Sequence, residues 1–361
     1  MSTYTIAVLP GDGVGPEVIS VACDVLGAVT ERFGHQFKLT RGLIGGAAID
    51  ATGGPLPEGT LELCRKADAI LLGAVGGPKW DQGAVRPEQG LLAIRKELGV
   101  FANLRPVVVH GDLVERSPLK REIVEGVDLI VFRELTGGAY FGEKRRTADA
   151  ASDLGAYTSA EIERIARAAF KSARRRRRKV TSVDKANVME AGRLWRETVS
   201  RVHREEFPDV ALEHVLIDAM AMHVLRWPRN YDIILTDNMF GDILSDELSA
   251  LADSIGLAPS ASLGASGPGL FEPVHGSAPD IAGRNLANPV GAVLSTAMML
   301  RYGLRLEDEA DAVEAAVSAT IAIGAVTADL GGDLGCREVG DAILHALLHP
   351  PLAHYRLMHW G

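Results

Sequence analysis

The chain has 361 residues, 47% of them hydrophobic and 24% charged, with a net charge of -9. That length accommodates two domains or one large α/β unit, the composition is that of an ordinary globular protein, and the acidic balance argues against a general nucleic-acid surface. Cys23, Cys64 and Cys336 are far apart, with no zinc or redox spacing; no apolar run reaches the length of a membrane span, and the N-terminus enters a strand with no leader-like pattern. A protein of a reducing compartment is expected, cytoplasmic or else organellar after processing.

Thr5–Leu9 is the first apolar run. It leads into Leu9–Glu17, LPGDGVGPE, a glycine-rich turn before a helical pattern over Glu17–Phe33, with Pro16 suited to the first turn. The spacing is G-x-G-x-G and not the G-x-G-x-x-G of a dinucleotide fingerprint. Ala69–Val75 is a second strand. Pro87–Leu98 is a helix on which Glu88, Leu91, Leu92 and Arg95 recur at i, i+3, i+4 and i+7 and share a face. Charged groups at both ends of an apolar stripe suit a mixed pocket wall, with Arg95 gripping a carboxylate and the leucines receiving an alkyl group. Arg105 and Arg133 could complete a guanidinium cluster, Arg133 at the end of the strand Asp128–Arg133.

The segment Leu135–Thr158 is neither clear helix nor clear strand and reads as a projecting arm carrying Tyr140. Ser159–Arg178 is helical, and the basic run Arg174–Lys179 is expected to be its solvated end, favoured by the helix dipole. The strand Val180–Asp184 presents Lys185, a candidate proton carrier beyond an apolar run. Ala191–Glu206 is a helix and Leu212–Asp218 a strand. Tyr231–Thr236 is a short buried strand, with Asn238 and Gly241 as punctuation after it. In the next helix, placed over Ile243–Ser254, Asp242 and Asp246 stand four apart on one face, ~5–6 Å apart at Cβ. A divalent cation with hard-oxygen preference is their natural partner. In LFEPVHGSAPDIAG, His275–Ala278 is compact enough for close backbone approach to a ligand, and Asp280 could accept from ribose hydroxyls. Helices over Val290–Tyr302 and Glu307–Ile323 complete the pattern. The tail carries His349, His354 and His359, which reads as a packed or frayed terminus. Alternating strands and helices indicate an α/β fold with substantial parallel pairing.

Together GDGVGPE, RPEQGLLAIRKELGVFANLRP, RELTGGAYFGEKRRT, VTSVDKANV, DAMAMH, NMFGDILSDE and EPVHGSAPDIAG resemble, in order and over nearly the whole chain, the isocitrate/isopropylmalate dehydrogenase family of metal-dependent β-decarboxylating dehydrogenases. The resemblance implies a two-domain α/β fold with a large mixed sheet flanked by helices, not a Rossmann fold. Residues 1–100 with 253–361 would form one domain and 101–252 the other, with the active site in the cleft between them and a dimerisation arm near 135–158. It implies a homodimer with shared active sites, in which Asp242 and Asp246 hold magnesium or manganese with Asp218 of the partner. Arg95, Arg105 and Arg133 would hold the malate moiety, and Glu88, Leu91 and Leu92 the recognition face. Tyr140 would protonate the enol, and Lys185, contributed like Asp218 by the partner, would relay the hydroxyl proton. His275, Gly276, Ser277, Ala278, Asp280 and Asn288 would bind NAD.

The implied activity is oxidative decarboxylation of 3-isopropylmalate to 2-oxoisocaproate, in leucine biosynthesis. Relatives acting on D-malate, tartrate or homoisocitrate, and a non-catalytic homologous subunit, are the alternatives; two leucines in GLLAIRK disfavour an acidic substituent. Asp237, Asp253 and Ala258 depart from the family's usual residues. The two extra charges are expected near the cofactor side, with Asp253 tolerating a positive φ.

Overall fold

Short apolar runs, paired mostly in parallel, organise each half of the chain. The computed structural model describes residues 2–350, which divide into two units, residues 2–99 with 253–350 and residues 100–252. His354 and His359 lie outside the described residues; His349 directly follows the helix Cys336–Leu348.

In the first unit the strand order is Gln36–Arg41, Thr3–Gly11, Ala69–Ala74, Gly269–Pro273, Pro259–Leu263. The first three pairings are parallel and the last is antiparallel. Ala69–Ala74 is buried along its whole length, as a strand covered on both faces must be. Ala7, Leu9, Ile70, Leu72, Ile94 and Leu270 share one core cluster, each large side chain contributing roughly 1.5–3 kcal/mol by leaving water. The helix Gly15–Phe33 starts on Pro16 and buries Val18, Val21, Ala22, Val25 and Val29. It packs against Val290–Met298 and Cys336–Leu348. Val290–Met298 is buried on every side, so it is a central helix and not an amphipathic one.

In the second unit the order is Ala102–Val108, Asp128–Glu134, Ile233–Thr236, Lys179–Asp184, Ala211–Leu216. The first pair is antiparallel and the others parallel. Ser159–Arg174 begins at a capping box built by Thr158 and Glu161. Within 135–158 the structure has a two-stranded ribbon, Lys144–Arg146 against Ala151–Asp153, exposed throughout.

Three expectations change. The strand expected to reach Asp218 ends at Leu216, and Asp218 lies in the first turn of the helix Ile217–Arg226. The acidic helix begins at Asn238, five residues earlier than its apolar periodicity suggests, because Asp237 caps it. The basic run is a solvated end only in part: Arg174, Arg175, Arg177 and Arg178 are exposed, but Arg176 is not. Arg176 is 4% exposed and ion-paired to Asp128 and Asp232 at 2.7 and 2.8 Å, while the Arg177 amide donates to Asp232 at 2.8 Å. The run ties the end of its helix to two strand starts. Among the described residues no helix is long and apolar enough to cross a membrane.

Candidate active site

Arg105 and Arg133 project from neighbouring antiparallel strands of the second unit, toward the helix Asn238–Leu251. Both are buried, at 8% and 3% exposure. Arg105 donates to Asn103 at 2.9 Å, Ser245 at 2.6 Å and Asp246 at 3.2 Å. Arg133 donates through Nε to Asn238 at 2.9 Å and through Nη1 to Asp242. The close approach of helix to strand requires Gly241, where a Cβ would stand 2.8 Å from the Arg133 side chain. The Tyr140 hydroxyl donates to Asp242 at 3.0 Å, and Arg133 lies 5.7 Å from the tyrosine ring centroid. Burial, and next the Asp242 charge, push the Tyr140 phenol above its ordinary range, so the hydroxyl keeps its proton at neutral pH. Asp246 is pushed up by burial, with Arg105 opposing and Asp242 adding to the rise.

Two carboxylates and two fixed guanidiniums thus converge on one helix face. The acid oxygens are hard donors, and the side chains of Asp242 and Asp246 remain 33% and 54% exposed. That donor chemistry fits a magnesium-class cation, and a cation there would relieve the repulsion between the acids. Among the described residues no three His, Cys, Asp or Glu side chains converge as a metal site. Asp218 is placed elsewhere, accepting from Lys185 at 2.5 Å, and this hydrogen bond lowers its pKa. Lys185 also borders a recess lined by Tyr157, Met189, Trp195, Asp237 and Phe240.

The first unit holds the other candidates. Asp12, 5% exposed, accepts from the amides of Gly46, Ala47 and Gly76 at 2.7–2.8 Å. The glycine-rich turn is therefore a structural knot, and its Val14 amide donates to the Ser277 carbonyl at 2.8 Å. That bond braces the loop His275–Ala278. The His275 Nδ1 lies 2.9 Å from the Gly276 carbonyl, so it carries the proton, while the buried Nε2 has no partner. Burial lowers the ring's pKa and keeps it neutral. An orphaned acceptor beside exposed Gly276 and Asp280 fits a ligand rich in hydroxyl and amide donors. Ala278 is held at φ 37°. Asn288 is committed to the protein, donating to Asp329 at 3.0 Å and accepting from the Val290 amide at 3.0 Å.

Arg95 is 7% exposed and donates to Glu272 at 2.6 Å, while its buried Nε lacks a partner. Glu88 is exposed and its carboxylate lies over Gly76. The two leucines separate: Leu91 packs on the core cluster around Ile94, whereas Leu92 is half-buried outside it. Asp237 stands at the helix cap and the Lys185 recess, and its contacts are with the second unit. Asp253 adopts φ 86°, and Ala258 is buried. Sequence reasoning missed Asn103, Asn238, Ser245 and Glu272, the partners that hold the three arginines. Only their closeness in sequence to the family-like motifs could have flagged them.

This constellation, on this fold, defines a class. Residues 5–343 match the family model described as isocitrate/isopropylmalate dehydrogenase, and the chain belongs to that family. A 3-isopropylmalate dehydrogenase of Geobacillus kaustophilus is 59% identical over 91% of each chain. One from Bacillus caldotenax is 61% identical over 86% of each. A crystal structure of isocitrate dehydrogenase from Methylococcus capsulatus aligns with a TM-score of 0.87 at 33% identity, covering 96% of this chain and all of that one.

Proposed function

We propose that the chain is an NAD- and divalent-metal-dependent dehydrogenase that converts 3-isopropylmalate to 2-oxoisocaproate, a step of leucine biosynthesis. The observation that carries this reading is the meeting of Arg105, Arg133 and a protonated Tyr140 with Asp242 and Asp246. High identity to relatives named for that activity supports the substrate. Asp242 and Asp246 would hold magnesium or manganese, with Asp218 of a second subunit, and His275, Gly276, Ser277, Ala278 and Asp280 would hold NAD. When bound, the metal supplies Lewis-acid stabilisation of oxyanion charge and NAD accepts the hydride.

The residues of the chain do the rest. Arg105, Arg133 and Arg95 neutralise and orient the carboxylates of the malate moiety, at little entropic cost because each guanidinium is already held. Lys185 of the second subunit, paired with Asp218, takes up the C2 hydroxyl proton. Loss of carbon dioxide from C3 leaves an enolate, and the Tyr140 hydroxyl gives its proton to that carbon. Leu92 offers apolar surface to the isopropyl group, with Leu91 behind it.

A homodimer belongs to the same reading. Met222 and Ile243 are 58% and 60% exposed, with Leu225 and Trp227 beside Met222 in sequence also exposed, on and just after helices that pack together. Such apolar surface suits a subunit interface, and Asp218 shares a helix with Met222. Three free cysteines, Cys23, Cys64 and Cys336, support a cytoplasmic location.

The test is catalytic efficiency on 3-isopropylmalate, D-malate and isocitrate, with saturating NAD, with magnesium and after chelation. We expect efficiency to fall in that order and to vanish on chelation. Best activity on isocitrate or D-malate overturns the substrate. Mixed Lys185→Ala and Asp246→Ala subunits should recover partial activity. No recovery after verified exchange overturns the shared site.

A further inference from the structure

Glu134 is fully buried and comes directly after Arg133 in the same strand, so the two side chains leave on opposite faces. Its carboxylate accepts four hydrogen bonds. Oε2 takes the amides of Thr136 and Gly137 at 2.9 and 2.7 Å. Oε1 takes the Thr136 hydroxyl at 2.7 Å and Arg164 at 3.0 Å. Arg164 also donates to the Thr136 hydroxyl and lies over the Phe101 ring. A buried carboxylate is costly unless fully partnered, and here every partner but Arg164 belongs to the turn leading to Tyr140.

The other side of that turn is held as firmly. Asn238 donates to the Gly137 carbonyl at 3.2 Å, accepts from Arg133 Nε at 2.9 Å, and its amide donates to the Tyr157 hydroxyl at 2.9 Å. Tyr157 covers Gly137 and Gly138: a Cβ at either would fall 2.5 Å from the tyrosine. Tyr140 sits two residues on.

We propose that Glu134, backed by Arg164, is a positioning residue that sets the turn 135–140 and thereby holds the Tyr140 hydroxyl against Asp242. Glu134 does not reach the reacting atoms; it acts only through Tyr140. This inference rests on the reading of Tyr140 as the proton donor to carbon. The role is confined to the steps after hydride transfer, when the enolate carbon takes the phenolic proton.

The experiment is a double-mutant cycle of Glu134→Gln and Tyr140→Phe in the full-length enzyme. It is read by stopped-flow NADH formation for hydride transfer and, for the later steps, by quenched-flow formation of the decarboxylated 2-oxo acid, 2-oxoisocaproate. Glu134→Gln keeps the volume but places an NH2 against donors. We expect it to leave the NADH burst within ~3-fold of the parent and to slow 2-oxo acid formation ~10-fold or more. In the Tyr140→Phe background it should slow neither further. Proportional losses in both readouts, effects that multiply in the double variant, or no effect at all overturn the positioning role. Tyr140→Phe that leaves 2-oxo acid formation unchanged overturns the donor reading itself, a separate outcome. Arg164→Met, on a half-exposed side chain, carries the same cycle if Glu134→Gln fails to fold.

Discussion

Asp237 gives the enzyme a built-in weakness near and above neutral pH that one substitution should remove. Its side chain caps the helix Asn238–Leu251 by accepting from the Phe240 amide at 2.8 Å. Burial nevertheless pushes its carboxyl from 3.8 to about 6, with the Phe240 amide and Arg133 opposing and Glu134 adding to the rise. The folded protein thus binds this proton more tightly than the unfolded chain. Stability from this group is complete below pH 4 and is lost as pH rises through 6, by ~3 kcal/mol in all. Asn caps as well as Asp and does not titrate. Loss of the charge near the helix N-terminus takes back ~0.5 kcal/mol. Asp237→Asn should therefore match the parent near pH 4 and exceed it by ~2–3 kcal/mol at pH 8. For a unit of this size that is several degrees in Tm. Thermal unfolding followed by circular dichroism from pH 4 to 8 reads it. Parallel Tm curves, or a less stable Asp237→Asn at pH 8, would refute the reasoning, because they would mean that the carboxylate is ionised and stabilising in the fold.

The remaining predictions concern other named contacts. Asp232→Asn removes one charged partner of the buried Arg176 guanidinium and should cost ~3 kcal/mol, seen as a lower urea midpoint; an unchanged midpoint would mean that this pair does not hold the helix end. Asp253→Gly relieves the left-handed backbone at φ 86° and should raise stability by ~1 kcal/mol, with a fall in Tm as the contrary result. Asp280→Ala removes a carboxylate that would repel a 2′-phosphate; the ratio of efficiencies with NADP and NAD should rise ~10-fold, and a constant ratio would take Asp280 out of cofactor choice.

The sequence by itself determined the family and the chemistry-bearing side chains. Those signals are local: Asp242 and Asp246 share a face because 3.6 residues make a turn, and Arg133 and Lys185 end or follow apolar strands. It also determined the parallel strands Ala69–Ala74, Asp128–Glu134 and Ile233–Thr236, whose apolar runs are continuous. The strand Ala102–Val108 was illegible because Asn103, Arg105 and Pro106 interrupt its apolar pattern, and those polar groups are paid for by partners far along the chain. Gln36–Arg41 is an almost wholly exposed edge, so no hydrophobic period marks it. Within the basic run Arg176 misled for the opposite reason: charge in a sequence suggests water, and only the fold brings Asp128 and Asp232 to it. Tertiary structure alone decided that the glycine-rich turn is a knot closed by Asp12, that Asp218 pairs with Lys185, and that Glu134 and Asn238 clamp the Tyr140 turn. Each is a contact between residues distant in sequence or a turn geometry without a periodic signature. Periodicity reports which face a residue takes, and only packing reports what it meets there.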